Sequence, residues 1–212
     1  MDYLRAGGCL LAVGGPAFED LLVERGGQWC SSADVLRQTS QNPPDVMLFA
    51  FNTGDERTWT RVTDHPDAKS SLTAQGGVLS ARLESLPGWD VRMSPELASP
   101  FPAGKPITVL EARGEGGLSR LNVEWREKDG SRWRTQVPIG RGWQRFACAP
   151  SDFHYAASGG VDGRGRPGDR FHPENAVRFC LGATSEGGRA ARGAQQWWVR
   201  DVGFSADPCP EA

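Results

Sequence analysis

The 212-residue chain is long enough for one domain of about 150 residues, which would bury roughly 70% of the surface its unfolded chain exposes, with about fifty residues to spare. Its 24 basic and 26 acidic side chains are interspersed and give a net charge of −2, so the sequence offers no basic stripe to nucleic acid and no polybasic segment to a membrane surface. Eight Trp against two Tyr, with 27 Gly and 15 Pro, read as many short strands joined by tight turns and argue against a helix-rich class.

At the N-terminus, "MDYLRAGG" has the look of the last turns of a helix closed by Gly. "CLLAV" suits a fully buried strand, and "PAFEDLLVERGG" a helix begun by Pro16 and ended by Gly26. Residues 1–30 are therefore expected to form a short α-β-α fragment of a parallel sheet. Such a strand needs neighbours on both sides and helices on both faces, which nothing else in the chain supplies, so the larger part of that domain is expected upstream. An apolar run of five residues with an acid at position 2 predicts neither a secretory leader nor a membrane span. The run "YLRAGGCLLAVGG" resembles the closing segment of the glutamine-amidotransferase-like domain found within many multidomain glycoside hydrolases. It departs from an active amidotransferase in that Cys9 precedes the strand and no Gly-x-Cys-x-Gly elbow follows it.

Residues 31–45 are polar and run into Pro43-Pro44, which favours an extended linker and places a domain boundary near residue 45. Over 46–207, apolar or alternating runs recur between turn signals: "VMLFAF", "GVLSARL", "GWDVRM", "ITVLEAR", "RLNVEW", "RWRTQVPI", "GWQRFAC", "AVRFCLGA" and "QWWVRDVGF". Nine short strands with almost no helical period predict an antiparallel β-sandwich, most naturally a jelly roll. In "NVEWREKDGSRWRTQV" the parity of the strands selects the turn. A two-residue Asp129-Gly130 loop would send the two apolar sets to opposite faces, whereas a three-residue loop, 128–130, pairs Trp125 with Trp133 and puts Gly130 at a left-handed position. Both tryptophans are then expected in the core, stacked across the hairpin, with a platform for a ligand as the alternative.

From about Leu48 to Phe204, the order "FNTGDERTW", "LSARL", "ITVLEARG", "LNVEWREKDGSRWRTQVPI", "GWQRFACAPSDF" and "WWVRDVGF" is similar to the galactose-binding-like jelly rolls that serve as carbohydrate-binding modules beside glycoside hydrolase domains. Trp143 and the closing "RDVGF" stand at that family's recurrent landmarks. The resemblance implies a structural calcium on Asn52, Asp55 and Asp201, although the "FNTGDE" wording departs from the family's usual Glu. On the residues alone, Asp55 could equally start a turn and Asp201 pair with an arginine.

Other chemistry finds little support. "GRGRPG" has no strand before it, and Pro167 and Pro173 preclude a helix after it, so it is no nucleotide fingerprint. His65, His154 and His172 lack metal-ligand spacing. The five cysteines, odd in number and without Cys-x-x-Cys, imply no disulfide framework, and a Cys148–Cys180 pair stays open. Glu111, Glu115, Glu124 and Glu127 nominally offer a carboxylate pair, but Glu124 and Glu127 flank a hairpin turn where charges normally face solvent, so no enzyme is expected.

The segment from Asp152 to Asn175 exceeds structural need: a long connection without a secondary-structure pattern is usually functional or disordered. Sugars are held by an aromatic ring under their C–H face and polar side chains at their hydroxyls. The expected ligand-binding set is accordingly Trp59, Trp89 and Trp197 with His154, Tyr155, Asp162 and Arg164. Trp197 and Trp198, as neighbours on a strand, must point oppositely, so one of them leaves the core. The function expected is a non-catalytic module that binds a neutral glycan and holds an attached glycoside hydrolase there, extracellular or periplasmic if that hydrolase is exported. The alternative is a structural accessory sandwich that packs on a catalytic domain and binds no sugar.

Overall fold

A computed structural model describes residues 42–157, 160–185 and 193–206, together with the backbone of four short strands near the N-terminus. Those four are β1 (Asp2–Ala6), β2 (Cys9–Val13), β3 (Leu22–Arg25) and β4 (Gln28–Ser31), an antiparallel meander that hydrogen-bonds in the order β1-β2-β3-β4. "CLLAV" is a strand as expected, but the flanking 2–6 and 22–25, expected helical, are strands too, and the pairing is antiparallel. The reason is legible afterwards: two glycines separate Ala6 from its partner Cys9, and two more separate Arg25 from Gln28. Gly-Gly between strand-like runs is a hairpin signal as much as a helix stop. Most of the helix expected over 16–26 and of the linker over 31–45 lies outside the described residues.

The rest is an antiparallel β-sandwich. One sheet runs β13-β10-β16-β8-β7, with β5 (Val46–Met47) also on β16; its members are β7 (Ser70–Gln75), β8 (Val78–Leu83), β10 (Ile107–Glu115), β13 (Gln144–Cys148) and β16 (Gln195–Ser205). The other runs β14-β12-β11-β15-β9-β6 and comprises β6 (Thr60–Thr63), β9 (Trp89–Met93), β11 (Arg120–Glu127), β12 (Arg132–Pro138), β14 (His154–Tyr155) and β15 (Ala176–Thr184). Each of the nine expected runs contributes a strand. The additional ones, β6, β7 and β14, are short or polar edge strands without an apolar run to announce them.

The hairpin of β11 and β12 has the expected geometry. Trp125 pairs with Trp133, Ser131 C=O accepts from Glu127 N–H at 3.0 Å, and Gly130 sits at φ +87°. Both indoles are buried, and both N–H groups are satisfied: Trp125 Nε1 donates to Thr108 Oγ1 of the opposite sheet at 3.1 Å, and Trp133 Nε1 to Ser131 Oγ at 3.2 Å. In place of a Trp–Trp stack, Phe171 lies 6.4 Å from each ring, and Phe101, Phe179 and Phe204 complete the cluster around Trp125.

At the opposite edge a charge cluster is buried. Arg61 Nε and Arg92 Nε approach the Asp90 carboxylate at 2.6 and 3.2 Å, and Arg92 also donates to Ser70 of the facing sheet, which ties β6, β9 and β7 together. Cys148 and Cys180 are both buried free thiols, which closes the question of a disulfide between them. No helix among the described residues is long and apolar enough to cross a membrane.

Candidate functional site

Side chains at paired positions of neighbouring strands project to the same face, so the register fixes which residues meet. On the second sheet the outward positions are Asn122, Glu124 and Arg126 of β11, then Arg132, Arg134 and Gln136 of β12. Arg178, Cys180, Gly182 and Thr184 of β15 join them, followed by Trp89, Val91 and Met93 of β9. Part of this face is a depression of 170 Å³ lined by Val91, Cys180 and Gly182 together with Trp89, Thr184, Asn122, Glu124, Arg132 and Arg134. No side chain fits at Gly182, since a Cβ there would lie 2.5 Å from the backbone oxygen of Asp90.

Trp89 is held by its backbone. Its N–H donates to Asp64 Oδ1 at 2.9 Å, and its C=O accepts from the Thr63 hydroxyl at 2.6 Å. Gly88 lets Asp64 approach, because a Cβ at that position would meet Asp64 Oδ2 at 2.1 Å. Partial burial works to raise the Asp64 carboxyl, yet the Trp89 N–H and His65 bring it below the usual aspartate value, so it stays ionised and accepting. The indole is half-buried, and among the described residues neither a ring nor a guanidinium stacks on it.

The polar lining is pre-ordered. Asn122 Nδ2 donates to Thr184 Oγ1 at 2.8 Å while its Oδ1 accepts from Gln136 Nε2 at 2.8 Å. Glu124, expected to face solvent, is 2% exposed, clasped by Arg126 at 3.1 Å and Arg132 at 2.8 Å. That carboxylate raises the already high pKa of Arg132. Burial pushes the Cys180 thiol up to about 12, so it is no nucleophile at neutral pH.

The expected ligand residues divide. Trp89 lies on this face, and His154, exposed on β14, is in register with Arg134 at its far edge. Trp59 is buried against Phe49 and Phe51, and Trp197 is fully buried, so neither offers a ring. The parity argument was sound, but the outward member of that pair is Trp198. Its ring and that of Trp143 are covered by guanidinium groups, with Arg113 4.1 Å from the Trp198 centroid and Arg200 4.5 Å from that of Trp143. A ring face occupied by a cation has nothing left for a sugar, which sets the first sheet's outer face apart from the second's.

In the 152–175 segment, where a binding loop was expected, several of the described side chains are engaged within the fold. Arg164 is bonded to Glu127 at 2.8 Å, to Asp169 at 3.0 Å and to Asp129, and its guanidinium lies 5.2 Å from the Trp133 ring centroid. Glu127, also expected at the surface, is 2% exposed and accepts from His172 N–H at 2.7 Å as well. Tyr155 projects inward, edge-on to Trp133 at 5.6 Å, and its hydroxyl accepts from Val161 N–H. Phe153 and Phe171 enter the core, and Asp162, like His154, is exposed.

The carboxylates proposed for calcium are engaged elsewhere. Asp201 Oδ2 lies 3.0 Å from Arg145, and Asp55 Oδ2 accepts the backbone N–H of Asn52 at 2.7 Å at the start of a turn. A guanidinium that close repels a second cation, so the donor set does not fit calcium, and no three His, Cys, Asp or Glu side chains converge among the described residues. The glutamates once eligible for hydrolysis are neutralised as well: Glu111 pairs with Arg145 and Arg200, on the opposite sheet from Glu124.

Solved structures that share this sandwich fold include carbohydrate-binding modules. The chain is similar to the family 11 carbohydrate-binding module of the cellulosomal cellulase Lic26A-Cel5E of Clostridium thermocellum, with a TM-score of 0.53 at 10% identity over 73% of this chain and 94% of the module. A family 11 module from Clostridium thermocellum in complex with a β-1,3-1,4-mixed-linked tetrasaccharide gives a TM-score of 0.59 at 12% identity, over 79% of this chain and 97% of that one. The agarase AgWH50C gives 0.53 at 10% identity, with 77% of this chain matching 26% of the enzyme. None of these three is an amidotransferase. No family model matches the sequence, and the search of curated proteins finds no match.

Proposed function

We propose that residues 46–207 are a non-catalytic carbohydrate-binding module whose glycan lies across β9, β15, β11 and β12, and that the module holds an attached glycoside hydrolase at that glycan. The observation that carries this reading is Trp89, a half-buried ring with its face free, lining a depression whose polar side chains are already oriented. The indole would stack on the C–H face of one sugar unit, while Thr184, Asn122 and Arg134 would take hydroxyls further along the chain. Because Asn122 is held from both ends, little side-chain entropy is lost when a ligand arrives. The likeness to modules of a cellulase and to part of an agarase supports the same class of ligand.

Calorimetric titration of the chain against a panel of plant, algal and bacterial polysaccharides is the test. Binding to at least one glycan, lost in Trp89→Ala while the melting temperature is kept, is expected. An unchanged affinity in Trp89→Ala would move the site elsewhere, and no heat with any glycan would leave the accessory-domain reading standing.

A further inference from the structure

The outward positions of β11, β12 and β15 carry five arginines, Arg120, Arg126, Arg132, Arg134 and Arg178, against one carboxylate, Glu124. The chain as a whole is at −2, so this face has the sign opposite to that of the molecule. Four of the five cations have partners: Arg126 and Arg132 share Glu124, Arg178 reaches Glu96 at 3.2 Å, and Arg120 reaches Gln136 at 3.4 Å. Arg134 has none among the described residues. It is exposed, it lines the depression, and the one carboxylate beside it in register is already held by two other guanidinium groups.

A planar guanidinium binds a hydroxyl weakly and a carboxylate or sulfate strongly, through two parallel N–H bonds. We propose that the glycan of this module is acidic, with the anionic substituent of one unit, a uronic carboxylate or a sulfate ester, docked on Arg134 while another unit stacks on Trp89. This rests on the glycan-binding reading above and departs from a neutral ligand. The register also sets the ligand's length. Arg134 is in line with Glu124, Cys180 and Met93, three interstrand steps away, and Trp89 lies four residues along from Met93. At about 4.8 Å per step and about 3.4 Å per residue, the two Cα positions are roughly 20 Å apart. The charged unit and the stacked unit are therefore different sugars of one oligosaccharide, and a monosaccharide acid cannot engage both.

The experiment uses the full chain and matched pairs of oligosaccharides: oligogalacturonate with its methyl ester, and a sulfated galactan fragment with its desulfated twin. The expected result is a charged member bound at least ten-fold tighter than its twin, with the pair that shows it reporting carboxylate or sulfate. Galacturonic acid alone should bind no better than a neutral monosaccharide. Arg134→Gln should remove roughly ten- to a hundred-fold of affinity for the charged member and so abolish the preference. Raising NaCl from about 50 to 500 mM should weaken the charged member several-fold, as screening shortens the reach of the exposed cation. Arg82→Gln, on the outer face of the opposite sheet, should change neither. Equal affinity for the twins, or a preference that survives Arg134→Gln, overturns the proposal; if that binding is still lost in Trp89→Ala, the glycan-binding reading stands without it. Binding of a single-stranded oligonucleotide as tightly as the acidic glycan would mark a general polyanion surface and overturn it too. Absence of any glycan binding overturns both.

Discussion

Replacing Arg164 by Met tests whether the 152–175 segment is scaffold or binding loop. The substitution keeps most of the aliphatic stem but deletes the guanidinium that lies over Trp133 and bonds three carboxylates. Glu127 is the one that matters, because its side chain is 1% exposed and cannot turn to water. Removing one partner of a buried ion pair costs about 3–5 kcal/mol. The bonds that Glu127 keeps, from His172 N–H at 2.7 Å and Ser131 Oγ at 3.3 Å, place the cost near the lower end, at about 3 kcal/mol. For a domain of about 160 residues this lowers Tm by roughly 6–12 °C. Glu127→Gln removes the charge left behind, so the double variant should lie above the sum of the singles by about 2 kcal/mol or more. Urea unfolding followed by Trp fluorescence measures all three. The clasp also dictates an acid limit. Gly165 N–H and Arg164 hold the Asp169 carboxyl below its ordinary 3.8, and at Asp129 the bonds from Ser131 and Arg164 outweigh the opposing effect of burial. Carboxyls depressed in the fold contribute their stability in full above the unfolded value and lose it as pH falls through the folded one. Stability should therefore fall on acidification from about pH 4 downward, less steeply in Asp169→Asn. Additive single variants, or an Arg164→Met protein that melts within about 1 °C of the parent but binds glycan more weakly, would refute the scaffold assignment.

The two neighbouring tryptophans of β16 should behave oppositely: Trp197→Ala costs about 3–5 kcal/mol by opening the core, whereas Trp198→Ala costs about 1 kcal/mol or less, mainly its contact with Arg113, both read from chemical denaturation. Calcium at millimolar concentration, or its removal by chelator, should leave Tm unchanged, since Arg145 already neutralises Asp201; a rise of several degrees with calcium would show a site that the Arg145 contact does not preclude. Removing residues 1–41 should leave the cooperative melting of the sandwich in place, because among the described residues β1–β4 form a sheet of their own; a large drop would make that meander part of the domain's stability.

Periodicity made the sandwich legible. Alternation named the strands that carry an apolar set and even the turn type at 128–130, because a wrong loop length there would have put Trp125 and Trp133 on opposite faces. What alternation cannot supply is strand order. Asn122, Glu124, Arg134 and Thr184 are outward by parity alone, but only the sequence β12-β11-β15-β9 brings them beside Trp89, and those neighbours lie up to ninety-five residues apart in the chain. The 152–175 segment is hard to read for the complementary reason. Its aromatic and charged residues matched the chemistry of sugar recognition, yet Phe153, Tyr155, Phe171 and Arg164 are spent on the hairpin that they close over.

The two outer faces show why exposure of a tryptophan is a weak indicator of a site unless the partners of its neighbours are known. Both faces present half-buried indoles among arginines. On the first, the charges close on one another: Arg113 sits over Trp198, Arg200 over Trp143 and against Glu111, and Arg145 bridges Glu111 and Asp201. Such a lattice lowers the energy of the unliganded protein, and a ligand would have to break it to gain contacts of similar strength. On the second face, Glu124 satisfies two arginines and can take no third at comparable geometry, so Arg134 stands beside it with its hydrogen bonds unspent, and Trp89 is fixed through its backbone with its ring left free. Affinity is available where strong donors and an aromatic face are rigidly held but not consumed, and that condition is met on the face formed by β9, β15, β11 and β12.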